Sequence, residues 1–151
     1  MKKVKIMLVD DEERFLATTQ KLLTKKGYDA ITAPSGSRAL ELLAQKPVHV
    51  VILDVKMPGM DGIETLKAIK KQFPMVEVIM LTGHATVESA IDGLKSGASD
   101  YLMKPADVDD LIDRAEDAFV RVQQLEEKIR LIQLRKGMKS PRRIIADGDM
   151  E

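Results

Sequence analysis

Asp10 and Asp11 close the apolar run from Val4 to Val9, Asp54 closes the run from Val48 to Leu53, and Lys104 follows Tyr101 to Met103. Open parallel sheets collect their ligand-binding residues just beyond the carboxyl ends of the strands. These segments are therefore predicted to build one charged pocket. Carboxylates crowded together repel, and the arrangement becomes favourable when a cation is bound or protons are taken up. The chain has no cysteine, and His49 and His84 are its two histidines. The donors are then oxygens, which suit Mg²⁺ and make a zinc site a poor fit. A cation that retains several waters also accepts phosphate oxygens, so phosphoryl chemistry is the natural hypothesis. Thr82 and Gly83 end a fourth run with a hydroxyl and an approachable backbone N–H, and Lys104 is a compact cation suited to one carboxylate or phosphoryl oxygen. A carboxylate nucleophile, a metal, a hydroxyl and a lysine are the parts that form and stabilise an aspartyl phosphate.

Taken singly, each of these residues has a plainer reading. Asp10 and Asp11 could cap a helix, and Asp54 could open a turn toward Pro58-Gly59. Thr82 could be an ordinary β-branched strand residue, Lys104 a solvated charge, and Tyr101 a cover for apolar surface. The joint placement of all of them at run ends favours the pocket.

Strand-length apolar runs alternate with segments of helical period, the pattern of repeated βα units around a parallel sheet. Val4–Val9, Val48–Leu53 and Val76–Leu81 are nearly continuous in Val, Ile and Leu, as in strands covered on both faces, whereas Tyr28–Thr32 and Ser99–Met103 read as outer strands. Gly27 and Gly97 follow lysine-bearing helix ends, where positive φ stops a helix. The predicted fold is α/β: a flavodoxin-like, doubly wound five-stranded parallel sheet of order 2-1-3-4-5 with five helices, the last extended. In that order strands 1 and 3 are neighbours, so Asp10, Asp11 and Asp54 converge.

The last helix is predicted from near Asp107 to Lys136. Its apolar residues Leu111, Ala115, Ala118, Val122, Leu125, Ile129 and Ile132 step by four and three in a heptad seam. At about 1.5 Å per residue it would run on the order of 45 Å, against roughly 20 Å for a strand. The expected organisation is an α/β domain over 1–120, a helix extension with coiled-coil character over 121–136, and an aperiodic, disordered tail over 137–151.

Composition narrows the function classes. Lys and Arg number 24, as do Asp and Glu, so no overall field draws the chain to nucleic acid or to an anionic membrane. No run approaches the roughly 18 apolar residues of a membrane span, and the N-terminus lacks a signal-peptide core. A cytoplasmic, soluble protein without membrane contact is expected.

Four ordered stretches carry a resemblance: Val9-Asp10-Asp11-Glu12, Leu53-Asp54-Val55-Lys56-Met57-Pro58-Gly59-Met60-Asp61-Gly62, Leu81-Thr82-Gly83, and Asp100-Tyr101-Leu102-Met103-Lys104-Pro105. Over residues 3 to 120 the chain resembles the receiver domain of bacterial two-component response regulators. The resemblance implies that Asp54 accepts a phosphoryl group from the phosphohistidine of a sensor histidine kinase or a phosphotransfer protein. It further implies that Asp11, Asp54 and the backbone carbonyl of Lys56 hold Mg²⁺, with Asp10 acting through water, that Thr82 and Lys104 contact the phosphoryl oxygens, and that Tyr101 reorients as Thr82 moves. A cis Lys104–Pro105 bond is implied as well. Lys56 and His84 lie two residues after Asp54 and Thr82, where they overhang the pocket without an assigned role. Such a protein is a phosphoacceptor with self-catalysed transfer and autodephosphorylation rather than a turnover enzyme. Its output is expected from the surface of the fourth helix, fifth strand and fifth helix. Because the stretch after Pro105 reads as one helix and a tail, no nucleic-acid domain is expected, and the last helix is expected to pair with a second copy or another helical protein. Two rival classes are a magnesium-dependent phosphatase, which would carry Asp-x-Asp after the first strand, and a flavin carrier, which would need a Ser/Thr/Gly-rich loop there.

Overall fold

The structure is a computed structural model that describes residues 3–55, 61–83 and 87–137. Strands β1 (Lys5–Val9), β2 (Asp29–Ala33), β3 (Val50–Leu53), β4 (Glu77–Thr82) and β5 (Asp100–Met103) alternate with helices α1 (Glu13–Lys25), α2 (Gly36–Gln45), α3 (Gly62–Gln72), α4 (Val87–Lys95) and α5 (Val108–Arg135). The five strands form one parallel sheet in the order β2-β1-β3-β4-β5, the doubly wound arrangement predicted from the runs.

Strand alternation explains the two cores. Ile6 and Leu8 of β1, Val50 and Ile52 of β3, and Ile79 and Leu81 of β4 share one face with Leu16 and Leu23 of α1 and Leu111, Ile112, Ala115 and Ala118 of α5. Met7, Val9, Val51, Leu53, Val78 and Met80 occupy the other face with Ala39, Leu42 and Leu43 of α2 and Leu66 and Ile69 of α3. Each such large side chain contributes roughly 1.5–3 kcal/mol by leaving water. α4 is the exception, since Gly93 is its one buried residue.

Local chemistry sets the boundaries. Ser35 caps α2 by accepting the Arg38 N–H, and Asp61 caps α3 by accepting that of Glu64 at 2.8 Å. Gly27 and Gly97 take positive φ, 89° and 111°, where α1 and α4 end. α1 begins after Glu12, and neither Asp10 nor Asp11 is its N-cap. The expected first residues of the third strand, Val48 and His49, precede β3. His49 bridges instead to β1, its N–H donating to the Lys5 carbonyl at 2.9 Å and its Nδ1 accepting the Lys5 N–H at 2.9 Å.

The chain divides into one compact unit through Phe119 and a second from Val120 onward. In the second unit, α5 continues to Arg135 and exposes Val120, Leu125, Ile129, Leu131, Ile132 and Leu134. The tail expected over 137–151 lies outside the described residues after Gly137.

In the first unit, the Tyr28 hydroxyl donates to Glu116 at 2.6 Å, tying the start of β2 to α5. That hydrogen bond, with burial and the charges of Glu116 and Asp113, pushes the phenol up to about 12 from 10. Because the folded value is raised, the stabilisation is complete below pH 10 and is lost as pH climbs toward 12. The chain has two tyrosines and no tryptophan. In Tyr101→Phe, tyrosinate absorbance therefore reports Tyr28 alone. Glu116→Gln in that background is expected to bring its midpoint down toward 10, and an unmoved midpoint would remove Glu116 as the cause.

Candidate functional site

The register places the charged residues before any side-chain detail is needed. Val9 pairs with Leu53 across β1 and β3, so Asp10 and Asp54 leave neighbouring strands at the same level. Backbone bonds hold them there, Asp10 N–H to Ala33 O at 3.2 Å and Asp54 N–H to Val9 O at 2.9 Å. Lys104 follows β5, its N–H donating to the Thr82 carbonyl at 2.9 Å, and its bond to Pro105 is cis.

Lys104 crosses the carboxyl edge of the sheet to reach the acids. Its Nζ lies 2.5 Å from Asp10 Oδ2, 3.0 Å from Glu12 Oε1 and 3.9 Å from Asp54 Oδ2. It also sits 4.2 Å above the centre of the Phe15 ring, an arrangement that favours a cation over the aromatic face. The side chains of Asp10 and Asp54 are only 2% and 7% exposed, that of Lys104 15%. Burial pushes the Asp10 carboxyl up, and the Lys104 ammonium and the Glu12 N–H offset this only in part, while the Asp54 charge adds to it. Burial pulls Lys104 down, but its hydrogen bonds to Asp10 and Glu12 and the charges of Asp10 and Asp54 outweigh it and hold the ammonium above its ordinary value.

One oxygen from each of Asp10, Glu12 and Asp54 falls within 4.8 Å of the others, a spacing that fits a metal ion. The donor set is carboxylate oxygen alone, which suits a hard divalent cation. Asp11 is exposed and stands outside this grouping. Glu12 is the residue that sequence reasoning missed. Asp10 Oδ1 accepts the Glu12 N–H at 2.9 Å, and this local turn returns the third acid of the run to the ammonium. The unbroken acidic run was the available signal.

Thr82 is fully buried. It shares the alternating face of Val78 and Met80, and Tyr101, registered with Met80, packs on that same face. Tyr101 is half-buried, and its hydroxyl lies 2.9 Å from that of Ser89 on α4. Gly62 also escaped notice as part of the site: its N–H donates to Val55 O at 2.8 Å, seating α3 against the chain that leaves β3. Lys56 and His84 lie outside the described residues.

The described residues thus form an open doubly wound α/β sheet with buried acids bridged by one lysine at its carboxyl edge. The chain matches the response regulator receiver domain over residues 6–116 and belongs to that family. It is 39% identical to the transcriptional regulatory protein ZraR of Escherichia coli K12, over 82% of this chain and 28% of that protein. It is 38% identical to the DNA-binding transcriptional regulator NtrC of Klebsiella pneumoniae, over 78% of this chain and 26% of that one. Among solved structures it resembles a receiver domain from Clostridium thermocellum, with 37% identity and a TM-score of 0.76, covering 81% of this chain and 98% of that one. NtrX from Brucella abortus gives a TM-score of 0.80 at 32% identity, over 86% of this chain and 30% of that one.

The chain thus spans about a quarter of the length of the curated relatives it matches. That overturns the expectation on partners. The expectation excluded a nucleic-acid domain and left the output to the last helix, pairing with a copy or with another helical protein. The relatives are named as transcriptional regulators, one of them DNA-binding, and the match covers only their receiver portion. Their remaining length lies outside anything a receiver's neutral charge balance can report, so the exclusion and the partner set built on it are withdrawn. Among the described residues no helix is long and apolar enough to cross a membrane.

Proposed function

We propose that this receiver is a phosphorylation-dependent switch in which Asp54 accepts a phosphoryl group from the phosphohistidine of a histidine kinase. The observation that supports it best is the burial of Asp54 beside a lysine ammonium already committed to a second buried acid. An Oδ of Asp54 attacks phosphorus. The P–N bond breaks with its electron pair going to the imidazole nitrogen, which takes up a proton. Later attack by water on phosphorus releases inorganic phosphate and regenerates the carboxylate, so the domain labels itself and clears itself.

Asp10, Asp11 and Asp54 with the Lys56 carbonyl are the proposed oxygen donors for Mg²⁺, and Glu12 adds a carboxylate at the same edge. When bound, the ion neutralises charge on the transferring phosphoryl oxygens. Lys104 supplies a positive charge to the same oxygens, and Thr82 a hydroxyl. A phosphoryl group on Asp54 gives Lys104 a more highly charged partner and so competes with Asp10 and Glu12 for it. Thr82 is drawn toward the new charge, Tyr101 follows on the same sheet face, and the surface of α4, β5 and α5 shifts between two states that a partner distinguishes. The names of the relatives extend the reading to a transcriptional output.

Acetyl phosphate with Mg²⁺ is expected to add the mass of one phosphoryl group to the wild type, short-lived and stoichiometric, and none to Asp54→Ala. Label persisting on Asp54→Ala would place the acceptor elsewhere, and continuous turnover of a phosphate ester would favour the phosphatase class.

A further inference from the structure

α4 is held to its domain by little. Its single buried residue is Gly93, packed so closely that a Cβ there would lie 2.5 Å from Met80 Sδ. Val87, Ile91 and Leu94 are exposed, Val87 by 79%. A helix that buries so little apolar surface depends on its individual polar ties to fix its position. A polar tie from α4 to the adjacent edge strand β5 is the 2.9 Å contact between the hydroxyls of Ser89 and Tyr101, in which either can donate. Tyr101 is the side chain that, on the reading above, must move when Thr82 is drawn to the phosphorylated acceptor.

We propose that Ser89 is a positioning residue that sets the resting place of Tyr101, and so fixes how readily the unphosphorylated domain visits the acceptor-competent arrangement. The inference rests on the phosphoacceptor reading and adds to it a latch built from this chain's own α4. Its physical logic is differential: the hydroxyl pair is made in the resting state and broken when Tyr101 leaves, so it stabilises one of two states and biases their ratio. One net hydrogen bond of ordinary strength corresponds to about a five-fold change in that ratio.

The test is the initial rate of labelling of the full chain by acetyl phosphate and Mg²⁺, read by intact mass. Ser89→Ala is expected to label about five-fold faster than wild type, and Ser89→Thr, which restores a hydroxyl, close to the wild-type rate. Tyr101→Phe removes the same bond from its other end, so Ser89→Ala is expected to change the rate less in Tyr101→Phe than in the wild type. This non-additivity separates a latch from a general loosening of α4, in which the two substitutions would act independently. A wild type that labels normally, with Ser89→Ala at the same rate or slower, overturns the latch and leaves the phosphoacceptor intact. So does an equal effect of Ser89→Ala with and without the Tyr101 hydroxyl. A wild type that takes no label overturns both.

Discussion

Lys104→Met is expected to lower folding stability by about 3–5 kcal/mol at neutral pH, because it strands two buried carboxylates. Methionine retains the apolar stem over Phe15 and deletes the charge, so the loss reports the ammonium rather than the packing. The pH dependence carries the diagnosis. Burial already raises Asp10 above 3.8 in the folded protein, and deleting its cation raises it further. A group whose folded value exceeds its unfolded value is no burden while both states are protonated. The cost then grows as pH rises from about 4 and levels off above the raised folded value. Lys104 itself, also raised, gives its full contribution below 10.5 and loses it above. Urea midpoints of variant and wild type should therefore converge toward pH 4 and separate by pH 7, and Asp10→Asn in the variant should recover part of the gap. MgCl₂ should recover part as well, since a ligand bound only by the native state stabilises it by mass action. Equal midpoints at pH 7 would show that the pocket tolerates its acids without the lysine.

The same cluster shows how far the sequence carries. The placement of Asp10, Asp54 and Lys104 at the sheet edge was legible because a buried parallel strand is written as a run of Val, Ile and Leu, and a polar residue ending such a run lies at that edge. Strand order followed from the βα alternation, and order makes Asp10 and Asp54 neighbours. What the runs do not encode is side-chain closure. Glu12 joins through a turn made by Asp10 with its N–H, and Ser89 meets Tyr101 because Gly93 lets α4 settle on Met80. Both depend on distances of a few ångströms between elements, to which periodicity is blind. Strand starts moved for a related reason: His49 lies inside the run that reads as strand, but β3 begins at Val50, and the His49 ring is occupied by accepting the Lys5 N–H at the sheet's entry. The partner expectation failed on a different ground, since apolar pattern and net charge describe this chain and carry nothing of the remaining length of its relatives.

Gly62→Ala is the second large effect, and it couples the fold to the proposed acceptor. A Cβ at Gly62 would lie 2.4 Å from the Asp54 carbonyl oxygen, 2.4 Å from Val55 Cα and 2.6 Å from the Val55 carbonyl oxygen. All three are backbone atoms, so no rotamer change relieves the overlap. Either α3 withdraws, weakening the Gly62 N–H bond to Val55 O, or the chain carrying Asp54 moves. Overpacking of this kind costs about 3 kcal/mol, and a displacement of about 1 Å at the proposed nucleophile can slow a reaction about 10²-fold. Gly83→Ala is the control, since a Cβ there meets nothing within 4 Å. Gly62→Ala should therefore unfold at lower urea and accept label from acetyl phosphate far more slowly, while Gly83→Ala keeps the wild-type midpoint. Both readouts are needed to locate the response. Lost stability with an unchanged labelling rate would mean that α3 yields, and Asp54 would then be held by β1 and β3 alone. Lost labelling at wild-type stability would mean that the chain after β3 yields instead, with α3 as the rigid body that sets the position of Asp54.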